Sequence, residues 1–201
     1  CTPTKITEKI LNTVIGKYHL LVEKPISTNF KSIKKFTDIS LKKNKIIKTG
    51  YNLRFDKGLN YVKKLIEKEY LGKIYHVKIS YVNGTTLTNT NAVGSLLDMG
   101  AHSINLINWY FDLKIKDKYS IFQKNEFLNK RKIDNGFISF ISKNIMIFIH
   151  HGFCNWKNNF DLEILGKKAF IHVSSLPKWG TQKVVLGKRK YPSGIPKLFT
   201  K

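Results

Sequence analysis

The chain has 201 residues, of which 42% are hydrophobic and 24% charged, and this composition excludes a disordered or fibrous protein. Lysine and arginine number 36 against 13 acidic residues, so the net charge is +23. Only three of these basic residues are arginine, the type that favours bidentate binding of phosphates and bases, and the lysines are spread along the whole chain. We therefore expect non-specific attraction to polyanions but no specific nucleic-acid partner.

Cysteine usage and hydropathy indicate the cellular compartment of the protein. Cys1 and Cys154 are too few for a disulfide framework or a four-cysteine zinc site, so a reducing compartment fits best. The first residues carry no apolar signal segment. The most apolar stretch, 137–153, is interrupted at 142–144 and indicates two strands and a turn rather than a bilayer span. We predict a cytoplasmic protein with no membrane partner.

The first part of the chain alternates helices with short apolar strands. Apolar residues at helical spacing predict helices over 6–17 and 30–43. Short apolar runs at 18–22 and 46–47 predict buried parallel strands. This order of helix, strand, helix and strand is typical of a doubly wound α/β unit.

After about residue 52 the pattern changes to α+β. Helical spacing predicts helices over 59–70 and 94–111, and alternation predicts a strand over 74–82. Further predicted strands, with a hairpin turn at 166–168, are 119–123, 136–141, 145–150, 160–165, 169–173 and 183–186. Residues 191–201 show no periodic pattern. We predict two domains, 1–52 and 53–201, the second built on a mostly antiparallel sheet.

Two motifs follow the predicted parallel strands. Ligands of open α/β sheets bind at the carboxyl ends of the strands, so Lys24 of Glu23-Lys24-Pro25 can direct its ammonium group into the crevice there. Pro25 restricts Lys24 to extended geometry. The alternative is a simple surface turn. Residues 50–55 begin at the next strand end and include Arg54, and their alternative is a linker with an aromatic anchor.

The predicted helix over 94–111 carries the strongest catalytic pattern. Asp98 and His102 are four residues apart, one turn from each other, and a carboxylate beside an imidazole suits a general base. Gly100 within the helix costs about 1 kcal/mol relative to alanine, which suggests close approach of a ligand or another backbone. The alternatives are a capping box from Ser95 to Asp98 and an ordinary interfacial histidine. Asn105 extends the polar stripe. The face expected to pack inward consists of Leu97, Ala101, Ile104 and Phe111.

Together these motifs resemble the Gfo/Idh/MocA oxidoreductases, which include glucose–fructose oxidoreductase and inositol dehydrogenase. The matching segments are Thr2-Pro3, Glu23-Lys24-Pro25 and residues 50–55, 97–102 and 161–166. The resemblance implies the C-terminal part of a Rossmann NAD(P)-binding domain, then a domain with an open, mostly antiparallel sheet and flanking helices. No glycine pair has the G-x-G spacing of the phosphate-binding turn, which the resemblance explains by Rossmann strands lying before Cys1.

The resemblance also implies an activity. NAD or NADP would exchange hydride with the hydroxyl-bearing carbon of a sugar, polyol or nucleotide sugar. His102 would act as the general base, Asp98 would orient it, and Lys24 would bind the reacting hydroxyl. The residues expected at the cofactor are Thr2, Pro3, Glu23, Lys24 and Pro25. The residues expected at the substrate are Lys24, Tyr51, Asn52, Arg54, Asp98 and His102.

Further expectations concern the oligomer, Trp156 and a metal site, and two alternative functions stay open. The resemblance implies a homo-oligomer formed through the open sheet face. Trp156 is a candidate for stacking on a sugar, although we expect a core tryptophan. Adjacent strand residues face opposite ways, so His150 and His151 predict no metal site. The alternative functions are a catalytically inactive family member and a basic polyanion-binding protein, and we expect this segment alone to be inactive.

Overall fold

The computed structural model describes residues 2–84, 93–113, 119–126, 133–190 and 197–201. The chain divides into two compact units, Cys1–Asn52 and Leu53–Lys201, and each is described by itself. Within the described ranges, no helix is long and apolar enough to cross a bilayer.

The first unit packs two helices against a two-stranded parallel sheet. Its elements are α1 (Thr4–Val14), β1 (Leu20–Val22), α2 (Phe30–Lys42) and β2 (Ile47–Thr49). Leu20 of β1 is the register partner of Ile47 in β2. The small core consists of Leu11, Val22 and Phe36, one from each of α1, β1 and α2. This unit has the predicted helix–strand–helix–strand order.

The second unit is built on an eight-stranded sheet. Its helices are α3 (Lys57–Glu67) and α4 (Ala101–Phe111), the latter preceded by a π-helical turn, Leu96–Gly100. Its strands are β3 (Ile74–Val82), β4 (Tyr119–Lys124), β5 (Asn135–Ser142), β6 (Ile145–Gly152), β7 (Asn159–Gly166), β8 (Ala169–Ser174), β9 (Lys183–Lys188) and β10 (Lys197–Thr200). The strand order is β10-β9-β8-β7-β3-β6-β5-β4, and only the β3–β6 pair is parallel. The predicted fold class, with its mostly antiparallel sheet, is confirmed.

The two faces of this sheet differ in burial. Strands β5 to β8 alternate buried and less buried residues, as expected for a sheet with one face in the core. The core-facing side chains include Ile79, Ile149 and Leu162, which belong to the same apolar core as Leu59 of α3 and Leu106 of α4. We call the opposite side the open face; it carries the side chains of Lys78, Phe122, Phe137, Phe148, His150, Asp161, Glu163 and His172.

Two sequence expectations for this unit need correction. The most buried positions of the helix are Met99, His102, Ser103, Leu106, Ile107 and Tyr110, whereas Leu97, Ala101, Ile104 and Phe111 are half-buried, with Ile104 and Phe111 packed against the core. The π-helical turn holds one residue more per hydrogen bond than an α-helical turn, so extrapolating an α-helical period from Leu97 misses the most buried positions. The unpatterned end of the chain contains an edge strand, β10, whose residues pair with β9 on one side only and need no alternation.

Candidate functional site

The carboxyl ends of β1 and β2 bring two predicted motifs to one edge of the first unit. The Gly50 amide donates to the Val22 carbonyl at 2.8 Å, so the turns that follow the two strands lie side by side. A Cβ placed on Gly50 would lie 3.5 Å from Glu23 Oε1. Lys24 follows Glu23 in the first turn, and the Lys24–Pro25 peptide bond is cis. This edge therefore gathers Glu23, Lys24 and Pro25 beside the start of the 50–55 motif.

Thr2 and Pro3 occupy the start of α1. Pro3 is the N-cap residue of this helix, and its carbonyl accepts the amides of Ile6 and Thr7 at 2.8 and 3.0 Å. Thr2 Oγ1 lies within hydrogen-bond distance of Thr7 Oγ1, at 2.9 Å. The structure thus gives both residues a local role at a helix terminus.

Asp98 and His102 lie in the second unit, one on the π-helical turn and one in the first turn of α4. The His102 ring is 6% exposed and meets the ring of Tyr81 edge to face, with centroids 5.7 Å apart. Burial raises the pKa of Tyr81 to about 12, and the negative charge of Asp98 adds to this effect. Asp98 and His102 therefore share one neighbour, the protonated phenol of Tyr81 at the carboxyl end of β3.

The Arg54 side chain contacts the same helix, α4. Its Nε donates to Asn105 Oδ1 at 2.7 Å, and its guanidinium lies 5.9 Å from the centre of the Trp109 ring. Asn105 follows His102 by three residues, so the side chains of both lie on neighbouring positions of α4. The second unit therefore brings together Arg54, Asp98, His102 and Asn105, while Lys24, Tyr51 and Asn52 belong to the first unit.

Two residues at this site were missed by sequence reasoning. Lys178 Nζ donates to Tyr81 Oη at 3.1 Å and lies 4.4 Å from the centre of the Trp179 ring. Tyr81 could have been found from the alternation of β3, because it falls on the inward face with Val77 and Ile79. Lys178 lies on a 3₁₀ turn, Pro177–Trp179, and nothing distinguishes it in sequence from the other lysines.

Ser95 does not supply its half of the capping box. It makes no side-chain capping bond to its helix among the described residues, and its amide donates to the Ile133 carbonyl at 2.8 Å. Its hydroxyl instead lies 2.9 Å from His151 Nδ1. The close approach at Gly100 is made by two side chains and not by another backbone as expected, since a Cβ there would lie 3.0 Å from Leu96 Cδ1 and 3.3 Å from His151 Cδ2.

Trp156 lies at the surface, and His150 and His151 lie on opposite faces of the sheet. Trp156 is 84% exposed beneath the Lys157 ammonium, 4.5 Å from its ring centre, so the expectation of a core tryptophan is wrong. It lies on the connection between β6 and β7, where no partner strand orders the chain into the core. His150 and His151 face opposite ways as predicted, His150 bonding to Ser80 on the open face and His151 to Ser95 in the core. Within the described ranges, no three candidate ligands are grouped as a metal site.

Comparison with known proteins defines the family. The family model for the GFO/IDH/MocA C-terminal domain matches residues 59–172, which is more than half of the chain. The chain therefore belongs to the Gfo/Idh/MocA family, as the sequence motifs predicted.

Individual relatives include both polyol and nucleotide-sugar dehydrogenases. The chain is 27% identical over 105 residues to the inositol 2-dehydrogenase/D-chiro-inositol 3-dehydrogenase of Lacticaseibacillus casei, covering 52% of this chain and 29% of that protein. Its structure is similar to scyllo-inositol dehydrogenase from Lactobacillus casei with bound NAD(H) and scyllo-inositol, with a TM-score of 0.72, 21% identity and coverage of 86% and 55%. It is also similar to the WlbA dehydrogenase of Bordetella pertussis in complex with NADH and UDP-GlcNAcA, with a TM-score of 0.78, 18% identity and coverage of 87% and 58%. The match spans less than a third of the length of the curated Lacticaseibacillus relative.

Proposed function

We propose that this chain carries the substrate domain and part of the dinucleotide-binding domain of a cytoplasmic NAD(P)-dependent dehydrogenase that acts on a sugar, polyol or nucleotide sugar. The observation that carries the proposal is the arrangement of Asp98 and His102 beside Tyr81, with Arg54 held against the same helix by Asn105. Family membership and the dehydrogenase relatives support it.

The residues present fit one part of a nicotinamide cofactor. Turns at the carboxyl edge of parallel strands are where doubly wound folds bind dinucleotides, and Glu23, Lys24 and Pro25 lie at such an edge. The pyrophosphate needs a glycine-rich turn and the helix terminus behind it, and no glycine pair of this chain has that spacing. We therefore assign this edge to the nicotinamide half of the cofactor and assign no residue here to its pyrophosphate.

The proposed reaction divides between cofactor and side chains. NAD(P), held at the edge of Glu23, Lys24 and Pro25, would supply the acceptor for the hydride of the hydroxyl-bearing carbon. His102 takes the hydroxyl proton, and the Asp98 carboxylate stabilises the positive charge that this proton creates on the imidazole. By the family resemblance, Lys24 donates a hydrogen bond to the reacting oxygen. The protonated Tyr81, which is only 2% exposed, packs against the His102 ring and limits its rotation.

Dehydrogenase turnover and NAD(P) binding should differ between the protein from the complete coding sequence and the 201-residue chain. We expect the protein from the complete coding sequence to reduce NAD or NADP when supplied with inositols or nucleotide sugars, measured by absorbance of the reduced nicotinamide. The 201-residue chain should give no turnover and no saturable micromolar binding of NAD(P) by calorimetry at physiological salt, which screens attraction by its +23 charge. Saturable binding by the short chain would contradict the assignment of the pyrophosphate site to other residues, and no turnover by the complete protein would contradict the activity.

We also propose that the open face binds a second copy of this chain. Apolar side chains that would be buried there are exposed, including Phe122 at 67% and Phe148 at 44%. Opposite charges alternate beside them, with Glu163 bonded to Lys78 at 3.1 Å and Asp161 near His172 at 2.6 Å. A surface that carries both signs can complement itself about a two-fold axis. Eight strands span roughly 38 Å at 4.8 Å each, and a strand of six residues is roughly 20 Å long. The face therefore offers on the order of 750 Å² per copy, close to the roughly 800 Å² per partner of a standard interface.

The second prediction is that Phe148→Glu converts an oligomer to a monomer. A buried carboxylate at the centre of an apolar interface is costly to desolvate, so the molar mass from light scattering should fall to that of one chain, 23.3 kDa. Leu41→Glu is the matched control, because Leu41 is 73% exposed on α2 and should leave the mass unchanged. A wild-type chain that is monomeric at micromolar concentration would contradict the proposal.

A further inference from the structure

The imidazole of His151 fills a slot in the core directly behind the π-helical turn. His151 is the register partner of Gly136 in β5 and of Tyr81 in β3, so all three face the core in one row of the sheet. A Cβ on Gly136 would lie 2.7 Å from His151 Cε1 and 2.8 Å from its Nε2. A Cβ on Gly100 would lie 3.3 Å from its Cδ2. The ring therefore occupies space that two glycines leave between the strand and the turn.

The side chain of Ser95, the residue just before the turn, holds this ring. Ser95 Oγ lies 2.9 Å from His151 Nδ1 and 3.3 Å from the Ile133 carbonyl, which accepts its hydroxyl hydrogen. Both contacts are made when His151 Nδ1–H donates to Ser95 Oγ and Ser95 Oγ–H donates to Ile133, so this is the tautomer we assign. His151 Nε2 is then an acceptor, and it has no donor among the described residues. Ser95 and His151 are both 0% exposed.

We propose that His151 is a positioning residue that, through Ser95, fixes the π-helical turn and so the orientation of Asp98 and His102. A π-helical turn is a less stable backbone arrangement than an α-helical turn and is retained where surrounding contacts hold it. Ser95 immediately precedes the turn and Gly100 ends it; His151 bonds to Ser95, and its ring lies 3.3 Å from where a Cβ on Gly100 would be. Asp98 lies between these two fixed points. This inference rests on the proposed function for its purpose but on the core geometry for its evidence.

The test uses the 201-residue chain and needs neither cofactor nor substrate. Ser95→Ala and His151→Leu each remove the hydrogen bond, whereas His151→Asn places an amide near the position of Nδ1 and keeps it. Labelled histidine reports the His102 ring resonances by NMR, and hydrogen exchange reports the amides of residues 98–100.

We expect Ser95→Ala and His151→Leu to move the His102 ring resonances and to speed exchange at 98–100 about five- to tenfold, with β7 and β8 amides unchanged. His151→Asn should restore both readouts. If Ser95→Ala leaves both unchanged, or speeds exchange equally throughout the sheet, the positioning role is wrong. Should His151→Leu fail to fold, Ser95→Ala against His151→Asn still decides. A protein that lacks dehydrogenase activity can pass this test, and an active one can fail it, so the two proposals fail separately.

Discussion

Replacing His102 with alanine is expected to lower kcat by about 10²- to 10⁴-fold in the protein made from the complete coding sequence, because that is the typical contribution of a positioned general base. The affinity for NAD(P) should stay within about twofold of wild type, since the proposed cofactor edge lies in the other unit, at the ends of β1 and β2. Initial rates at saturating cofactor give kcat, and calorimetry gives cofactor affinity.

The pH profile separates loss of a base from loss of structure. The wild-type rate should rise with pH as the base loses its proton, whereas the alanine variant should lose this dependence and respond only to hydroxide. His19→Asn is a matched control in the first unit, because His19 is exposed and only accepts the Ile46 amide at 3.2 Å. A His102→Ala variant with wild-type turnover across the pH range would remove His102 from the mechanism. A variant that has lost cofactor affinity as well would instead place His102 at the cofactor.

The helix that carries Asp98 and His102 shows how far sequence reasoning reaches. The presence of Gly100 predicts a close approach, and the spacing of Asp98 and His102 predicts that they lie one turn apart, because spacing and the cost of a helical glycine are local properties. Which atoms make that approach was not readable. The ring at Gly100 is His151, which follows it by about fifty residues and reaches it through sheet register.

The same limit applies to the neighbours of the site. Tyr81 and Lys178 meet through a hydrogen bond between β3 and a 3₁₀ turn, and nothing in either segment encodes the other. The difference between the predicted and the most buried positions of α4 has a similar cause. A π-helical turn depends on its tertiary contacts and not on helix propensity. Strands β5 to β8, by contrast, were predictable within one or two residues, because each alternates strictly between a core face and an open face.

Acid is expected to weaken the second unit through His151. Burial and, to a smaller extent, the neighbouring His150 lower the pKa of His151 from 6.5 to about 4. In the unfolded chain this imidazole takes up a proton near pH 6.5, but in the folded chain the imidazole stays neutral down to about pH 4. The unfolded state therefore binds more protons between these values, and stability falls as pH falls through that window. By linkage the free energy of unfolding should drop by about 2 kcal/mol from this group between pH 7 and pH 4.5.

Other groups also titrate on acidification, so the measurement must be a difference between wild type and a variant. The pKa of Glu163 is lowered from 4.5, chiefly by its hydrogen bond to His76, and its stabilising contribution is lost as pH falls below about 4.5. His151→Asn lacks only the imidazole, so the penalty of this substitution at pH 7 should shrink by about 2 kcal/mol at pH 4.5. All three tryptophans, Trp109, Trp156 and Trp179, belong to the second unit, so urea unfolding followed by tryptophan fluorescence reports that unit alone. An equal penalty at the two pH values would show that His151 is not held neutral in the core.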